Sequence, residues 1–357
     1  MSDDLVIPRA SLGSLEQINK GGTAVIYGLP DLSPADLGVV AEGLAFKAYT
    51  AATRRAAGPG LRPGLRSLVA FREHRLDLEQ RRDWDREINW PVRVVADDDG
   101  EAAGIVMPLI PFRFHQRILR RNGPPTLAPR EVNMLFGDAE TMRRIGLSPV
   151  RIDVRMRMVR RTAGVFRRMH EHNVVAGDIS ARNLVYDVAG DEPAVLAIDA
   201  DSARVAGTRS AFSGQPHTPH WQPPEALAAE RAYLSSGGAV RLDARTAQSM
   251  RTDVYKFGLL VIRVLDYGRQ RSVNRDPARA LGVLRRQAGA QAAEMLTRTM
   301  SERPADRPTM AEWCEVLHPE ARRPTATGGP APGGRLGNWV YVEGHGWERR
   351  PVEAAGG

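Results

Sequence analysis

The stretch VVAGDISARNLVYD at 174–187 leads from two apolar residues towards Asp178, places Asn183 five positions later, and returns to apolar Leu184 and Val185. Asp and Asn are poor formers of strands and helix interiors. A chain that sets them between segments asking for burial holds two oxygen-bearing side chains at fixed separation on the edge of a core. Sixteen residues after Asn183, the stretch AIDAD carries Asp199 behind Ala197 and Ile198. The intervening NLVYDVAGDEPAVLAID reads as a hairpin, so Asp178, Asn183 and Asp199 are expected on adjacent loops. Hard oxygen ligands in that layout suit Mg²⁺, which takes few protein oxygens and completes its shell with phosphate oxygens. Taken singly, each of these residues is equally at home as a cap of a helix or turn.

The rest of the chain sets the size of the fold around this feature. With 357 residues, 42% of them hydrophobic and 26% charged, it has material for two substantial cores. No apolar run reaches the roughly 18 residues of a membrane helix, and the N-terminal MSDDLVIPRASLGS lacks the layout of a signal peptide. A single cysteine, Cys314, forbids an internal disulfide and a cysteine-based zinc cage. The net charge of +8 comes from arginines spread through the chain, a weak case for nucleic acid and a good one for a GC-rich coding sequence. Lysine occurs only at Lys20, Lys47 and Lys256, and a lysine that persists in such a chain marks a place where arginine does not serve. A cytoplasmic protein is the expectation.

Residues 14–50 read as strands, with a turn at DLSPADLG, and AATRRAAGPGLRPG as a loop. LRSLVAFREHRLDLEQRRDWDREI has helical spacing, as one helix or two short ones, and WPVRVVADDDGEAAGIVMPLI is a hairpin around Asp-Asp-Asp-Gly. From about 130, helices dominate: PVRIDVRMRMVRRTAGVFRRMHEH is amphipathic, and TDVYKFGLLVIRVLDYG is apolar nearly all round and therefore buried. AGAQAAEMLTRTMS and PTMAEWCEVL follow as helices. ARRPTATGGPAPGG, from 321, reads as a linker or flexible tail, and the aromatic segment NWVYVEGHGWERRP as a small hairpin, a partner-binding segment or disorder.

Several motifs in order resemble the protein-kinase signature set. AGDISARN matches the catalytic-loop pattern His-Arg-Asp-x-x-x-x-Asn at its two functional positions, and DAD stands where Asp-Phe-Gly would be. AFKAY puts Lys47 on the third strand; TPHWQPPE resembles the end of an activation segment with Glu225 as its final Glu; TDVYKFG carries Asp253; RPADRPTM carries Arg307 as the partner of Glu225. The Gly-Gly loop, Trp90-Pro91, Gly177-Asp178 and DADS at 199–202 are similar to one bacterial group of eukaryotic-like kinases. The resemblance covers about 14–318 and implies an α+β, bilobal fold: a β-rich N-lobe over 1–107, an α-helical C-lobe over 108–320, and a tail over 321–357.

The same resemblance assigns the site. Asp178 orients the attacking hydroxyl, Asn183 and Asp199 hold Mg²⁺, and Lys47 contacts the α- and β-phosphates of ATP. Gly21 and Gly22 allow close backbone approach to phosphate, although Asn19 and Ala24 take two of the three usual glycine positions. With Met107 as gatekeeper, Pro108 supplies a carbonyl and Ile110 an N–H to adenine. Glu73 and Glu79 are both candidates for the helix partner of Lys47. Asp201 either adds a carboxylate near the metal or caps the next turn. Gly177 replaces an arginine that in such enzymes binds an activating phosphate, and Arg182 is placed to supply charge in a loop where Ser180 replaces lysine. His170 is expected to pack rather than to act as acid or base.

The implied activity is phosphorylation of protein hydroxyls, Ser/Thr before Tyr, with autophosphorylation at Ser210, Ser213 or Thr218. A phosphatase and a von Willebrand A-type protein are the implied partners. The alternatives are a pseudokinase scaffold, favoured by the worn glycine loop, and a small-molecule phosphotransferase.

Overall fold

The computed structural model describes residues 4–318 apart from 121, 213–214, 216, 238–247 and 269–272, together with the strands at 335–336, 339–342 and 346–349. The chain divides into two compact units, Met1–Leu317 and His318–Gly357. The larger unit is mixed α and β. Its first part is a six-stranded sheet of β1 (Val6–Pro8), β2 (Glu16–Lys20), β3 (Ala24–Gly28), β4 (Leu44–Tyr49), β5 (Arg93–Ala96) and β6 (Ala102–Pro108), in the order β1-β5-β6-β4-β3-β2. All neighbours are antiparallel except β1 and β5.

The two-residue period of β4 decides which way Lys47 faces. Leu44 and Phe46 join Leu12, Leu29, Val92, Val95 and Val106 on one side of the sheet. Ala45 and Tyr49 join Leu61, Leu65, Val69, Val94, Ile105 and Met107 on the other. Alternation puts Lys47 on the second side, and a one-residue slip would turn it to the first.

The segment 51–64, expected to be a loop, is mostly helical: α1 (Ala51–Ala57) is capped by the Thr50 side chain on Thr53 N–H and ends at Gly58 with φ 62°. A 3₁₀ turn leads into α2 (Leu61–Arg75), which contains Pro63 in its first turn. The first-turn N–H groups have no intrahelical partner, so proline costs nothing there. After α2 comes α3 (Leu78–Glu87), closed by a capping box of Asp77 and Gln80.

Trp90 is fully buried against Phe71 and Trp84 and donates its indole N–H to Leu68 O at 2.9 Å. The neighbouring Asn89 donates its backbone N–H to Ala197 O at 2.7 Å and its side-chain amide to Pro108 O at 2.9 Å. This short crossing thus ties the end of β6 to the hairpin that carries Asp199.

The hairpin β7 (His115–Ile118) with β8 (Thr126–Pro129) follows, then α4 (Ala139–Arg144) and α5 (Ile152–Glu171). Two short pairs come next in the chain: β9 (Val174–Val175) with β12 (Arg204–Val205), and between them β10 (Leu184–Asp187) with β11 (Ala194–Ala197). The remainder is α6 (Pro224–Ser235), α7 (Met250–Leu265), α8 (Ala278–Ala288), α9 (Ala290–Thr299) and α10 (Met310–Leu317). Every residue of α7 from Thr252 to Leu265 is buried, as its all-round apolar sequence requires. Arg307 is buried in this part, with paired contacts to Glu225 at 2.7 and 2.6 Å.

Among the described residues no helix is long and apolar enough to cross a membrane. In the smaller unit, β13 (Arg335–Leu336), β14 (Trp339–Val342) and β15 (Gly346–Arg349) form an antiparallel sheet. The linker expected at 321–334 lies outside the described residues.

Candidate functional site

The loop between β9 and β10 carries Asp178 and Asn183. It is anchored from below by Asp253 of α7, whose carboxylate accepts the N–H of Ala176 at 2.8 Å and of Gly177 at 3.0 Å. His170 Nε2 lies 3.1 Å from the same carboxylate, so this histidine holds the anchor and does not enter the site. Asp178 Oδ1 accepts from the Thr218 hydroxyl at 2.7 Å and from its N–H at 3.1 Å. Asn183 Nδ2 donates to the Asp178 carbonyl at 2.7 Å and to Asp178 Oδ2 at 3.1 Å. Both amide hydrogens of Asn183 are thereby engaged, which leaves Oδ1 as the atom able to face a cation.

The hairpin β10–β11 returns the chain beside this loop, where Ile198 N–H donates to Asn183 O at 2.9 Å. Asp199 follows with φ 56° and ψ 37°, a left-handed conformation that few non-glycine residues adopt. The turn aims both Asp199 and Asp201 at Lys47: Nζ is 3.1 Å from Asp199 Oδ1 and 2.8 Å from Asp201 Oδ1. The two carboxylates differ in setting, with 3% of the Asp201 side chain exposed against 48% of Asp199. Tyr49, two residues along β4, donates its hydroxyl to Asp201 Oδ2 at 2.6 Å. Burial pulls the Lys47 ammonium towards neutrality, and the carboxylates of Asp201 and Asp199 more than reverse this, so it stays charged well above the usual lysine range. Burial and then the Asp201 carboxylate push the Tyr49 phenol far up, and it remains a hydrogen-bond donor.

This geometry replaces the helix glutamate expected for Lys47. Glu73 lies among Arg72, Arg81 and Arg93, at 2.7, 3.1 and 3.1 Å, and serves the packing of α2 on α3 and β5. Glu79 is exposed in the first turn of α3. Neither meets Lys47, and the buried Asp201 is its counter-ion. Asp201 therefore does not cap the following turn; its carboxylate lies in the cavity beside Asp199 and is spent on Lys47 and Tyr49.

A cavity of about 360 Å³ opens here, lined by Thr23, Lys47, Asp178, Asn183, Asp199 and Asp201 among others. The four side chains singled out by sequence thus share one cavity, drawn from β4, the β9–β10 loop and the turn after β11. Other expected site residues border it less closely. Gly21 and Gly22 form the β2–β3 turn, where Gly21 N–H donates to Ala24 O at 2.9 Å and a Cβ on Gly22 would meet nothing within 4 Å. Thr23 of that turn reaches the cavity wall; the two glycines do not. Met107 is buried in the sheet, and Ile110 packs near Phe114, Val185 and Leu196. Pro108 O has one lone pair taken by Asn89 and a second left. Arg182 is exposed and lines a second cavity of about 470 Å³, with Ser180, Thr218 and Trp221.

Among the described residues no group of three His, Cys, Asp or Glu side chains is arranged to hold a metal ion. A cation between Asn183 and Asp199 would therefore depend on oxygens from a small ligand, the usual situation for Mg²⁺. Sequence reading missed Thr218 as the partner of Asp178 and Asp201 as the partner of Lys47. A hydroxyl 40 residues downstream and a carboxylate two residues past Asp199 leave no periodic signal. No protein-family model matches the chain, and no curated protein matches it.

Proposed function

We propose that this chain is a bilobal, protein-kinase-like phosphotransferase that moves the γ-phosphate of ATP to Ser/Thr hydroxyls of proteins. The observation that carries the reading is the convergence of Lys47, Asp178, Asn183 and Asp199 on one cavity, with Lys47 Nζ 3.1 Å from Asp199 Oδ1 across 152 residues of sequence. Phosphoryl transfer asks a protein for positioning and charge rather than for covalent chemistry. Lys47 supplies a compact cation at the cavity wall, held by the buried Asp201. The half-exposed Asp199 and the Oδ1 of Asn183 are the residues that would hold Mg²⁺, which when bound offsets phosphate charge. Asp178 carries a carboxylate already engaged with an aliphatic hydroxyl, that of Thr218, at 2.7 Å. A substrate hydroxyl would present the same kind of donor to Asp178. Of the hydroxyls offered for autophosphorylation, Ser210 and Thr218 are described and Ser213 lies outside the described residues.

A scaffold without catalysis is the second reading, favoured by the fact that neither Met107 nor Ile110 lines the cavity around Lys47. Incubation with γ-labelled ATP and Mg²⁺, in the presence of generic protein substrates and a panel of small alcohols and amines, separates the possibilities. The expected result is label on protein Ser and Thr, this chain included. Label on the small acceptors alone would overturn the protein-kinase reading, and nucleotide binding with no label anywhere would establish the scaffold.

A further inference from the structure

The third lysine of the chain, Lys256, is fully buried in α7, and nothing in the proposed phosphotransfer requires it. Its Nζ donates to Gly177 O at 2.5 Å and to Gln248 Oε1 at 2.6 Å. Three residues earlier on the same helical face, Asp253 accepts the N–H groups of Ala176 and Gly177. A carboxylate and an ammonium of one helix thus grip opposite ends of the residue preceding Asp178. Gln248 continues the connection: its Nε2 donates to Gln215 O at 2.7 Å, and Gln215 Nε2 donates to Ser202 O at 3.1 Å. Arg204 closes the ring by donating to Gln248 O at 2.8 Å.

Gly177 has φ 76°, and a Cβ there would meet Gln215 Nε2 at 2.6 Å. The position before Asp178 is a left-handed one that favours glycine, and a side chain there would displace the Gln215 amide that lies against it, next to Ser202 O. A buried lysine persists at this point because its ammonium satisfies one carbonyl and one amide oxygen within reach of the Asp178, Asp253 and Glu225 charges. Burial lowers it to about 8, and those three carboxylates oppose the shift.

The geometry points to Lys256 as a positioning residue that, through Gly177, Gln248 and Gln215, locks the Asp178 loop to Gln215 and Ser202 without any phosphate group. This deepens the phosphotransfer reading and rests on it for its kinetic consequence, although the structural lock itself does not. Lys256→Met keeps the unbranched stem and removes the donor. Gln248→Leu removes the other half of the link from outside the helix core and serves if the first variant folds poorly.

In Lys256→Met, kcat is expected to fall about tenfold or more while KM for ATP stays within about twofold, the pattern of a group felt only in the transition state. Combined with Gln248→Leu, the losses are expected to be far from additive, because both break one link. Wild-type protein freed of phosphate by a phosphatase is expected to keep its kcat. Independently of activity, amide exchange at 176–180 and 217–218 is expected to quicken about tenfold or more in either variant, with distant helices unchanged. Unchanged exchange at those amides, or a kcat that collapses on dephosphorylation, would overturn the inference. If the wild type transfers no phosphate, the phosphotransfer reading fails, and the exchange measurement still decides whether Lys256 locks the loop.

Discussion

Asp178→Asn is expected to lower phosphate transfer from ATP by about 10³-fold, the usual worth of a positioned general base, with nucleotide affinity nearly unchanged. The substitution keeps the shape of the side chain, and its remaining carbonyl oxygen still accepts from the Thr218 hydroxyl and N–H that Asp178 Oδ1 now holds. What disappears is the charge that draws a proton from an attacking hydroxyl. The new amide also faces the Asn183 amide, which now donates to Asp178 Oδ2 at 3.1 Å, so one hydrogen bond becomes a donor–donor contact. That local conflict costs about 1 kcal/mol of stability and leaves the fold intact. Single-turnover transfer of γ-labelled phosphate, beside calorimetric affinity for ADP and ATP, separates the two effects. Undiminished transfer in this variant would move the chemistry elsewhere in the molecule.

Asp201→Ala is expected to reduce kcat/KM for ATP by about 10²-fold, or roughly 2–3 kcal/mol, the scale on which a buried charge loses a partner. Asp201 is the nearer and more buried of the two carboxylates on Lys47, and it also takes the Tyr49 hydroxyl. Without it the ammonium has only Asp199, which would then be drawn wholly into the ion pair and away from the cavity. Lys47 and Asp199 would neutralise one another rather than serve a nucleotide. Glu79→Ala, at an exposed position, is expected to change nothing measurable. Glu73→Ala is expected to lower stability, since it leaves buried Arg72 with Asp85 alone among its carboxylates, and to spare KM for ATP. Steady-state kinetics on the three variants, with thermal melts alongside, tests the assignment of the counter-ion. A KM for ATP that responds to Glu73 or Glu79 as strongly as to Asp201 would refute it.

The comparison of sequence with structure divides along the range of the forces involved. Local pattern was enough for α5 and α7, whose apolar periodicity is long and whose burial follows from it. It was enough for the β10–β11 hairpin and for a strand at AFKAY; the side to which Lys47 turns was read from the sheet. The meeting of Lys47 with Asp178, Asn183 and Asp199 on one cavity was legible because the order of several motifs constrained where each had to lie.

Pattern failed where a contact depended on a single backbone torsion or on distant packing. Asp199 and Asp201 are two residues apart, and only the left-handed turn at Asp199 brings both onto one ammonium. Glu73 had helical spacing, but arginines at 72, 81 and 93 outcompete Lys47 for it. The 51–64 segment looked like a loop from its Gly and Pro content, yet Ala51–Ala57 form about two turns of helix and its Pro63 falls where a helix start tolerates it. The three residues of β1, ending in Pro8, are too few to show alternation; their pairing with β5 is set by the sheet.

The most direct measurement is a crystal structure with Mn²⁺ and a non-hydrolysable ATP analogue, the metal located by its anomalous scattering. The account predicts a peak between Asn183 Oδ1 and the Asp199 carboxylate, with Lys47 Nζ on the phosphates and Asp201 still behind it. A nucleotide bound elsewhere, or a metal that touches neither Asn183 nor Asp199, would contradict it.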